Sequence, residues 1–414
     1  MYRQQAGLDD GVSSRQARRM HIGLVHWSFP PCVGGVETHL WEYSQALLAR
    51  GHRVTVFVGT GYDELRSEGL ELRRHPLLDL SVPRYDSEHE VQELRAWFRA
   101  ELTPSSGPIR LVHGHNLHHF SSVPARALKS LQQELGLVLP HTYHAIWRTP
   151  QDERLARMCA VWDVHHAVSD FLVRECAEVL RQPVDRTYLG VNTKTYLNVA
   201  ELSEISARPT ILLPARLIPN KGAVVAVKAL KQIIKRSDTR RPRLVLTDPV
   251  DIVDFCGERN GFRAELADLI SACGLSQGSD PDADIEFRPA QLTEMAGLYA
   301  EAAVVIYPSR FGEPMGLAPL EAMCAARPVI VTKLGGLIEN GSVFSIPGGT
   351  EDAVVNRLAQ EVLRLLEEPE RARLAGAAAR EHILAEFDLG HVYVEPMLAE
   401  YERLLARRPA ALAA

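Results

Sequence analysis

Short apolar runs rich in branched side chains recur along the chain and alternate with longer amphipathic segments. The first run covers residues 21–27 and is followed by a Gly-Gly loop at 34–35, an amphipathic helix over 37–49 and a second run over 53–58. A strand, a glycine loop, a helix and another strand in this order form a right-handed βαβ unit. The pattern therefore predicts a parallel sheet near the start of the chain.

Further apolar runs predict the rest of two sheets. They cover 109–113, 136–141 and 165–168 in the first half of the chain, and 210–214, 243–246, 284–287, 303–307 and 329–332 in the second half. Strands buried on both faces read as continuous apolar runs, so each set fits a parallel sheet covered by helices. The sets predict an α/β protein with two Rossmann-like domains facing each other across a cleft.

The boundaries of the domains follow from this division. We expect residues 1–19 to be a disordered tail, because they are polar and lack apolar periodicity; Met20, directly before the first strand, is an alternative start. Residues 20–195 are expected to form the first domain and residues 205–388 the second, with the linker within 192–208.

Composition narrows the class of protein. A chain of 414 residues is too long for one ordinary core, and its 24% charged and 46% apolar residues describe a soluble globular protein. The net charge of −6 argues against a nucleic-acid partner. Six cysteines without C-x-x-C spacing indicate neither a disulfide framework nor a zinc site, so a reducing cytoplasm is the simplest compartment. No run of about 18 apolar residues is present, so membrane association is not indicated.

The most informative motif lies at residues 307–339. Glu313 and Glu321 stand eight positions apart, and Gly316 lies between them where an apolar strand gives way to a helix. The first N–H groups of that helix have no intrahelical partner and, with the helix dipole, suit a diphosphate. Glu313 precedes the helix and Glu321 lies more than one turn inside it, so the pair can meet opposite ends of a nucleotide-sugar. A glutamate pair by itself would more often be a solvated face.

The same segment resembles the retaining glycosyltransferases of family 4, or glycosyl transferases group 1, which have the GT-B fold. The resemblance is carried by P-S-x-x-G-E-P-x-G-L-x-x-L-E-A-M with a following R-P-V-I-V-T and G-G. It implies that Glu313 holds the hydroxyls of the donor sugar and that Glu321 holds the ribose hydroxyls. It further implies that a final helix within 389–408 crosses back to the first domain, and that the reaction needs neither metal nor cofactor.

Two cations stand five positions apart in the loop after the first strand of the second domain. Arg216 and Lys221 can converge on a diphosphate, the first through a planar fork and the second as a point charge. The alternative is a pair of solvated surface charges. The resemblance implies that both hold the donor pyrophosphate, although Ala215 stands where the family commonly has glycine.

The glycine pair Gly34 and Gly35 follows the first strand. Both residues permit a positive φ and a close approach of backbone to a bulky anion. Taken alone the pair is more typical of a tight structural turn. The resemblance implies a loop that closes over the donor phosphates.

Histidines cluster at 113, 115, 118 and 119 and again at 141 and 144. The H-x-H spacing could suggest metal ligands, but no carboxylate lies nearby in sequence, so we expect no metal site. The resemblance implies that His115 lies beside the transferred sugar and that His144 lies in the cleft. We expect His113 to be a core residue, and His165 and His166 to be structural.

These inferences give a set of candidate site residues. The candidate catalytic residues are Glu313, His115, Arg216 and Lys221. The candidate substrate-binding residues are Gly34, Gly35, His144, Arg288, Pro289, Ala290, Met315, Gly316, Leu317 and Glu321, with the backbone at 288–290 expected to contact the base.

The donor and acceptor stay open at this point. The family's N-G-V-D near the linker is replaced by Leu189-Gly190-Val191-Asn192, and its glycine-containing loop by Thr247-Asp248-Pro249. These departures leave the reaction class unchanged and the identity of the donor open. The expected donor is a UDP- or GDP-linked sugar. The acceptor could be an aminoglycoside, a thiol precursor, a polysaccharide or a lipid.

The predicted function is that of a metal-independent, retaining glycosyltransferase acting on an acceptor hydroxyl. One alternative is a nucleotide-sugar epimerase or hydrolase on the same fold. Another is a non-catalytic nucleotide-sugar-binding protein, which the intact Glu313, Glu321, Arg216 and Lys221 disfavour.

Overall fold

The computed structural model describes residues 19–61, 68–79, 86–237, 240–249, 258–341 and 344–408. Within them lie two parallel sheets of seven and six strands, which confirms the predicted α/β architecture with two Rossmann-like domains. The expected tail falls outside the described residues except for Arg19. No described helix is long and apolar enough to span a membrane.

The first domain is built on the seven-stranded sheet. Its strands are β1 His21–Val25, β2 Arg53–Val58, β3 Leu70–Arg74, β4 Leu111–His115, β5 Pro140–Tyr143, β6 Val164–Ala167 and β7 Asp185–Arg186. They follow the order β3-β2-β1-β4-β5-β6-β7, and Ile22 of β1 is in register with both Val54 and Leu111. From β1 the strands are added toward one edge of the sheet, as β2 and β3, and from β4 they are added toward the other edge. The topological switch point therefore lies between β1 and β4. A ligand crevice is expected at the carboxyl ends of these strands.

The helices of the first domain begin and end at recognisable caps. They are α1 Gly35–Ala49, α2 Glu88–Leu102, α3 Val123–Leu135, α4 Pro150–Met158, α5 Asp170–Leu180 and α6 Thr193–Tyr196. Ser87 and Glu90 form a capping box at the start of α2, and Gly136 ends α3 with a φ of 60°. Because Gly136 caps a helix, the strand predicted over 136–141 in fact begins at Pro140.

The second domain is built on the six-stranded sheet. Its strands are β8 Thr210–Leu213, β9 Arg243–Thr247, β10 Ile285–Arg288, β11 Ala302–Tyr307, β12 Val329–Thr332 and β13 Phe344–Ile346, in the order β10-β9-β8-β11-β12-β13. Its helices are α7 Ala223–Arg236, α8 Glu258–Ala272, α9 Met295–Glu301, α10 Leu317–Cys324, α11 Glu351–Glu367 and α12 Pro369–Glu386.

The end of the described chain returns to the first domain, which confirms the predicted crossing helix. A π-helical turn at Gly390–Val394 leads into α13, Glu395–Arg407. Tyr43 of α1 donates to the hydroxyl of Tyr401 at 2.8 Å, and that hydroxyl lies 2.6 Å from Nδ1 of His113. These buried polar contacts fix α13 against the first sheet.

The chain crosses between the domains twice, and the two crossings lie side by side. Val191 donates its N–H to Phe387 O at 2.8 Å and accepts from Leu389 N at 2.9 Å. Thr193 Oγ1 donates to the Asp388 carboxylate at 2.6 Å. The crossings are thereby joined into one hydrogen-bonded hinge.

Candidate functional site

Two of the predicted catalytic residues contact each other in the second domain. Glu313 lies in the loop between β11 and α10, and Lys221 ends a 3-10 turn after β8. Lys221 Nζ donates to both carboxylate oxygens of Glu313, at 2.7 and 2.8 Å, and Ser309 Oγ donates to Oε1 at 3.0 Å. The structure therefore pairs Lys221 with Glu313, where the sequence had assigned them separately to the diphosphate and the sugar.

The lysine of this pair lies in an aromatic pocket. Its ammonium is 4.9 Å from the ring centre of Phe311 and 5.7 Å from that of Tyr307, within the range of cation–π attraction. Burial lowers the pKa of Lys221, although the Glu313 carboxylate acts in the opposite direction. The charge on the ammonium thus depends on Glu313.

Arg216 differs from Lys221 in having an unengaged head group. It follows β8, is half-buried, and has no side-chain hydrogen-bond partner among the residues that the structure describes. Its positive charge adds to the effect of burial in lowering the pKa of Lys221, and it opposes the burial that raises the pKa of Tyr307, which places Arg216 close to the pair. Arg216 can therefore bind an anionic ligand without first breaking a side-chain hydrogen bond to another described residue.

Three glycines with positive φ shape the backbone around the pair. Gly316 has a φ of 85° and caps the start of α10, and Gly222 has a φ of 88° and caps α7. A Cβ on Gly222 would lie 2.2 Å from Pro308 O, and a Cβ on Gly335 would lie 2.4 Å from Glu313 O. Close packing of backbone on backbone is possible here only without side chains.

Met315 and Leu317 flank Gly316 with buried side chains, 0% and 8% exposed. A ligand at this helix terminus would meet their backbone rather than their side chains. Use of the N–H groups at the start of α10 by a diphosphate stays a prediction.

The predicted role of the first-domain glycines needs a correction. Gly34 is extended, with a φ of −171°, and Gly35 is the first residue of α1, so neither uses a positive φ. A Cβ on Gly34 would lie 2.2 Å from an oxygen of Glu37, whereas one on Gly35 would meet nothing within 4 Å among the described residues. The constraint at this loop is the space that the Glu37 carboxylate fills.

Glu37 itself is held in a polar pocket at the start of α1. Ser28 Oγ donates to its carboxylate at 2.9 Å, and His26 Nε2 lies 3.5 Å away. Burial acts to raise the pKa of Glu37, but the His26 ring and the Ser28 hydroxyl outweigh it and hold the pKa below its usual value.

Glu321 faces the first domain and has a buried carboxylate. Tyr299 donates its hydroxyl to Glu321 at 2.8 Å, and burial raises the pKa of Glu321. Glu42 of α1 lies opposite it, and burial together with the Glu321 charge raises the pKa of Glu42 to about 8. Sequence reasoning missed Glu42. Its position on α1 could have indicated it, because Glu42 lies on the buried side of the helix together with Glu37 and His39.

The residues predicted to contact the base differ in exposure. Arg288 donates to Glu286 at 2.7 and 2.8 Å and to Glu301 at 2.6 Å, so its guanidinium is engaged. Pro289 is exposed and Ala290 is buried. Contact of the base with the backbone at 288–290 stays a prediction.

The histidines separate into core and cleft-edge groups. His113 bonds to Thr142 Oγ1 at 2.9 Å in addition to Tyr401, which confirms a core role. His165 bonds to Gln182 at 2.9 Å and His166 to Thr187 at 3.1 Å, as expected of structural residues.

His115 and His144 are brought together at the carboxyl ends of β4 and β5. Nδ1 of His115 lies 2.9 Å from Nε2 of His144, and the ring centre of His39 is 5.3 Å from that of His144. Burial lowers the pKa of all three histidines. Their ligating nitrogens lie within 4.8 Å of one another, as do the ligating atoms of His118, His119 and Asp152. The second group contains a carboxylate, that of Asp152, which is distant from the two histidines in the sequence.

The two domains also meet at the start of α5. The Glu339 carboxylate, which follows β12, accepts from the N–H groups of Asp170 and Phe171, both at 2.7 Å. A Cβ on Gly312 would lie 2.8 Å from the Phe171 ring. A carboxylate of the second domain thus occupies the N-terminus of a first-domain helix, where the helix dipole favours a negative charge.

Comparison with known proteins shows two family models matching the chain in tandem. The model described as Glycosyltransferase Family 4 matches residues 33–195, and the model described as Glycosyl transferases group 1 matches residues 208–368. A GDP-mannose-dependent alpha-(1-6)-phosphatidylinositol monomannoside mannosyltransferase of Mycobacterium tuberculosis is 25% identical over 398 residues, covering 88% of this chain and 94% of that protein.

Solved structures share the two-domain arrangement. Sucrose-phosphate synthase from Thermosynechococcus elongatus has a TM-score of 0.73 at 20% identity, covering 94% of this chain and 100% of that one. HepE from Anabaena, solved in complex with UDP-glucose, has a TM-score of 0.68 at 17% identity, with coverage of 94% and 100%. These likenesses confirm the predicted GT-B fold.

Proposed function

The chain belongs to the family 4 glycosyltransferases of the GT-B fold, which transfer a sugar from a nucleotide-sugar, and from this membership we propose the finer features of its reaction. We infer a UDP- or GDP-linked donor, an acceptor hydroxyl, retention of the anomeric configuration, and no requirement for a metal or an organic cofactor. Each feature has its own support.

The observation that carries the proposal is the group formed by Arg216 and the Lys221–Glu313 pair beside the start of α10. Cleavage of the bond between the sugar and the diphosphate moves negative charge onto the leaving group. Fixed cations and helix N–H groups aimed at that charge stabilise the transition state. Arg216 is unengaged among the described residues, and Lys221 is held ready by Glu313.

Donor binding would rearrange the pair. Sugar hydroxyls can donate to the Glu313 carboxylate in place of Lys221, and the released ammonium can then approach the diphosphate. The acceptor oxygen would attack the anomeric carbon from the face that the diphosphate leaves, and its proton would pass to a departing phosphate oxygen. In the net reaction the anomeric C–O bond to the diphosphate breaks, a C–O bond to the acceptor forms, and the configuration is retained.

Metal independence is supported by where the acidic residues lie. The D-x-D spacing at Asp280, Asp282 and Asp284 precedes β10, so it stands at the amino end of a strand, away from the carboxyl ends that line the crevice. Asp284 is bound to Arg241 at 2.9 Å and to Ser276 Oγ at 3.0 Å. Arg216 and Lys221 supply positive charge where a metal would otherwise be needed.

The relatives support two donor classes. The mannosyltransferase of Mycobacterium tuberculosis uses GDP-mannose by its name, and HepE was solved with UDP-glucose. Calorimetric titration of the protein with UDP-glucose and GDP-mannose separates the two.

The same titration of Glu321→Ala tests the site. Loss of a charged acceptor for a buried pair of ribose hydroxyls should weaken binding by about 1.5–3 kcal/mol. Glu367→Ala, at the exposed end of α11, is the matched control and should bind as the parent does. Absence of nucleotide-sugar binding by the parent would overturn the proposal, and equal affinity of parent and Glu321→Ala would remove the ribose role.

A further inference from the structure

A second polar arrangement lies in the first domain, apart from the donor residues. His119 belongs to the loop that follows β4, and Asp152 is the third residue of α4, after the loop that follows β5. Both loops leave the carboxyl ends of adjacent parallel strands. These ends line the crevice of a Rossmann-like domain, so the arrangement stands on the side where an acceptor must enter.

The geometry of this pair fixes the state of the imidazole. Nδ1 of His119 lies 2.7 Å from Oδ1 of Asp152, whose other oxygen accepts the N–H of Trp147 at 2.6 Å. The carboxylate therefore holds the tautomer with hydrogen on Nδ1. Nε2 then carries a lone pair, and it has no hydrogen-bond partner among the described residues.

Burial favours the neutral ring. His119 and Asp152 are 3% and 4% exposed. Desolvation, and after it the nearby His26, lower the pKa of His119. A neutral imidazole with a free Nε2 accepts a hydrogen bond, which suits a hydroxyl and not an anion.

The loop that carries His119 is held in an unusual backbone conformation. Asn116 and Phe120 have φ angles of 49° and 64°, in the left-handed region that residues other than glycine rarely adopt. Asn116 Oδ1 accepts from the N–H groups of His144 and Ala145, at 2.7 and 3.2 Å, which ties the two loops together. Such strain persists where the surroundings over-determine it, and it concentrates at functional sites.

An aromatic surface completes the arrangement. The Trp147 ring stacks on His119 with 4.2 Å between ring centres and 19° between planes. Trp147 is nevertheless 37% exposed. A large aromatic face beside a hydrogen-bond acceptor matches the apolar C–H face and the hydroxyl groups of a sugar or cyclitol ring.

We propose that His119, Asp152 and Trp147 form the acceptor site, and that the acceptor is a sugar or cyclitol whose hydroxyl donates to Nε2 of His119 while its ring lies against Trp147. The inference rests on the proposed glycosyl transfer and adds the chemical class of the acceptor. In the reaction the acceptor proton passes to the departing phosphate, and His119 orients the acceptor oxygen toward the anomeric carbon. Asp152 is a positioning residue that acts through His119.

Transfer from the nucleotide-sugar that binds the parent is measured to three probes: methyl α-D-mannopyranoside, methyl α-D-glucopyranoside and myo-inositol. His119→Phe should raise the KM for the accepted probe by at least 10-fold and lower kcat, because the acceptor loses its hydrogen-bond partner. Trp147→Ala should raise KM, and Trp147→Phe should restore it to within about threefold, since an aromatic face remains. His89→Asn, at a side chain 87% exposed, is the control and should match the parent.

The role of Asp152 has a readout that a purely structural residue would not move. Nitrogen-15 NMR of the parent should show the Nδ1–H tautomer at His119, and addition of the accepted probe should shift the Nε2 resonance. Asp152→Asn should lose the single tautomer and raise KM, with unchanged donor affinity by calorimetry.

Several outcomes would overturn the inference without touching the proposed function. If both His119→Phe and Trp147→Ala bind and hydrolyse the donor and keep the parent's KM for the probe, the acceptor binds elsewhere. Donor hydrolysis by the parent without transfer to any of the three probes would refute the acceptor class. Stoichiometric Zn²⁺ binding that is lost in His119→Phe would show that His118, His119 and Asp152 hold a metal. Failure of the parent to bind any nucleotide-sugar refutes the proposed function instead.

Discussion

Replacement of Lys221 by Met should destabilise the second domain strongly, because it strands a buried charge. Lys221 and Glu313 are 11% and 4% exposed, and both carboxylate oxygens accept from the ammonium. Without it, the donors left to Glu313 among the described residues are hydroxyl groups such as that of Ser309. Removing one partner of a buried ion pair costs about 3–5 kcal/mol, and the Ser309 hydroxyl that still donates to Glu313 places the expected loss near the lower end, about 3 kcal/mol.

The double variant with Lys221→Met and Glu313→Gln should recover most of that loss, since no charge is then left buried. A coupling free energy of about 2 kcal/mol is expected from the double-mutant cycle. Urea unfolding followed by circular dichroism measures each free energy of unfolding. Arg216→Met is the matched control: it should change stability by no more than about 0.5 kcal/mol while lowering kcat about 100-fold.

Two results would refute this reasoning. Unfolding of Lys221→Met within about 0.5 kcal/mol of the parent would mean that the ion pair does not exist in solution. Strictly additive losses in the double variant would mean that the two side chains do not interact.

The remaining predictions concern the domain boundary, the glycine loop and the metal. Glu339→Gln should open the crevice between the domains, because the amide can accept only one of the two N–H groups at the start of α5. Small-angle scattering should show a larger radius of gyration, and an unchanged radius would contradict this prediction. Between pH 4.5 and about 8 the unfolded chain ionises Glu42 while the folded protein keeps it protonated, so stability falls as pH rises. Glu42→Gln should remove that decline, worth up to about 1.4 kcal/mol per pH unit, and parallel melting profiles would disprove it. Gly34→Val should reduce transfer and Gly35→Ala should not, since only the first Cβ meets Glu37; equal rates would refute this. Transfer should survive EDTA, and loss restored by Mg²⁺ would refute metal independence.

The sequence predicts the central strands and the edge strand β10, but not the other three edge strands. The central runs are apolar because both faces of those strands are buried, as in β8 and β12. The sequence analysis missed β3, β7 and β13, which read LELRR, DR and FSI, because edge strands are short or partly polar.

Local motifs singled out the candidate donor-site residues, but contacts between distant segments stayed hidden. The E-x7-E spacing singles out Glu313 and Glu321 because both stand on one loop and helix. The facing of Glu42 and Glu321 depends on how two domains dock, and no local pattern encodes it. Asp152 likewise meets His119 across 33 positions of sequence. The prediction that Gly34 uses a positive φ was wrong. Glycine is needed at this position because the Glu37 carboxylate fills the space that a Cβ would take.

The crossing helix α13 has a consequence for how the protein is synthesised. Tyr43 and His113 are covered by Tyr401, which leaves the ribosome roughly 200 residues after the first sheet is complete. At about 5–20 residues per second, the first domain waits on the order of 10–40 s with this surface uncovered. A fragment ending at residue 195 would keep it uncovered permanently. We therefore expect the first domain to fold separately when residues 389–408 are fused to such a fragment.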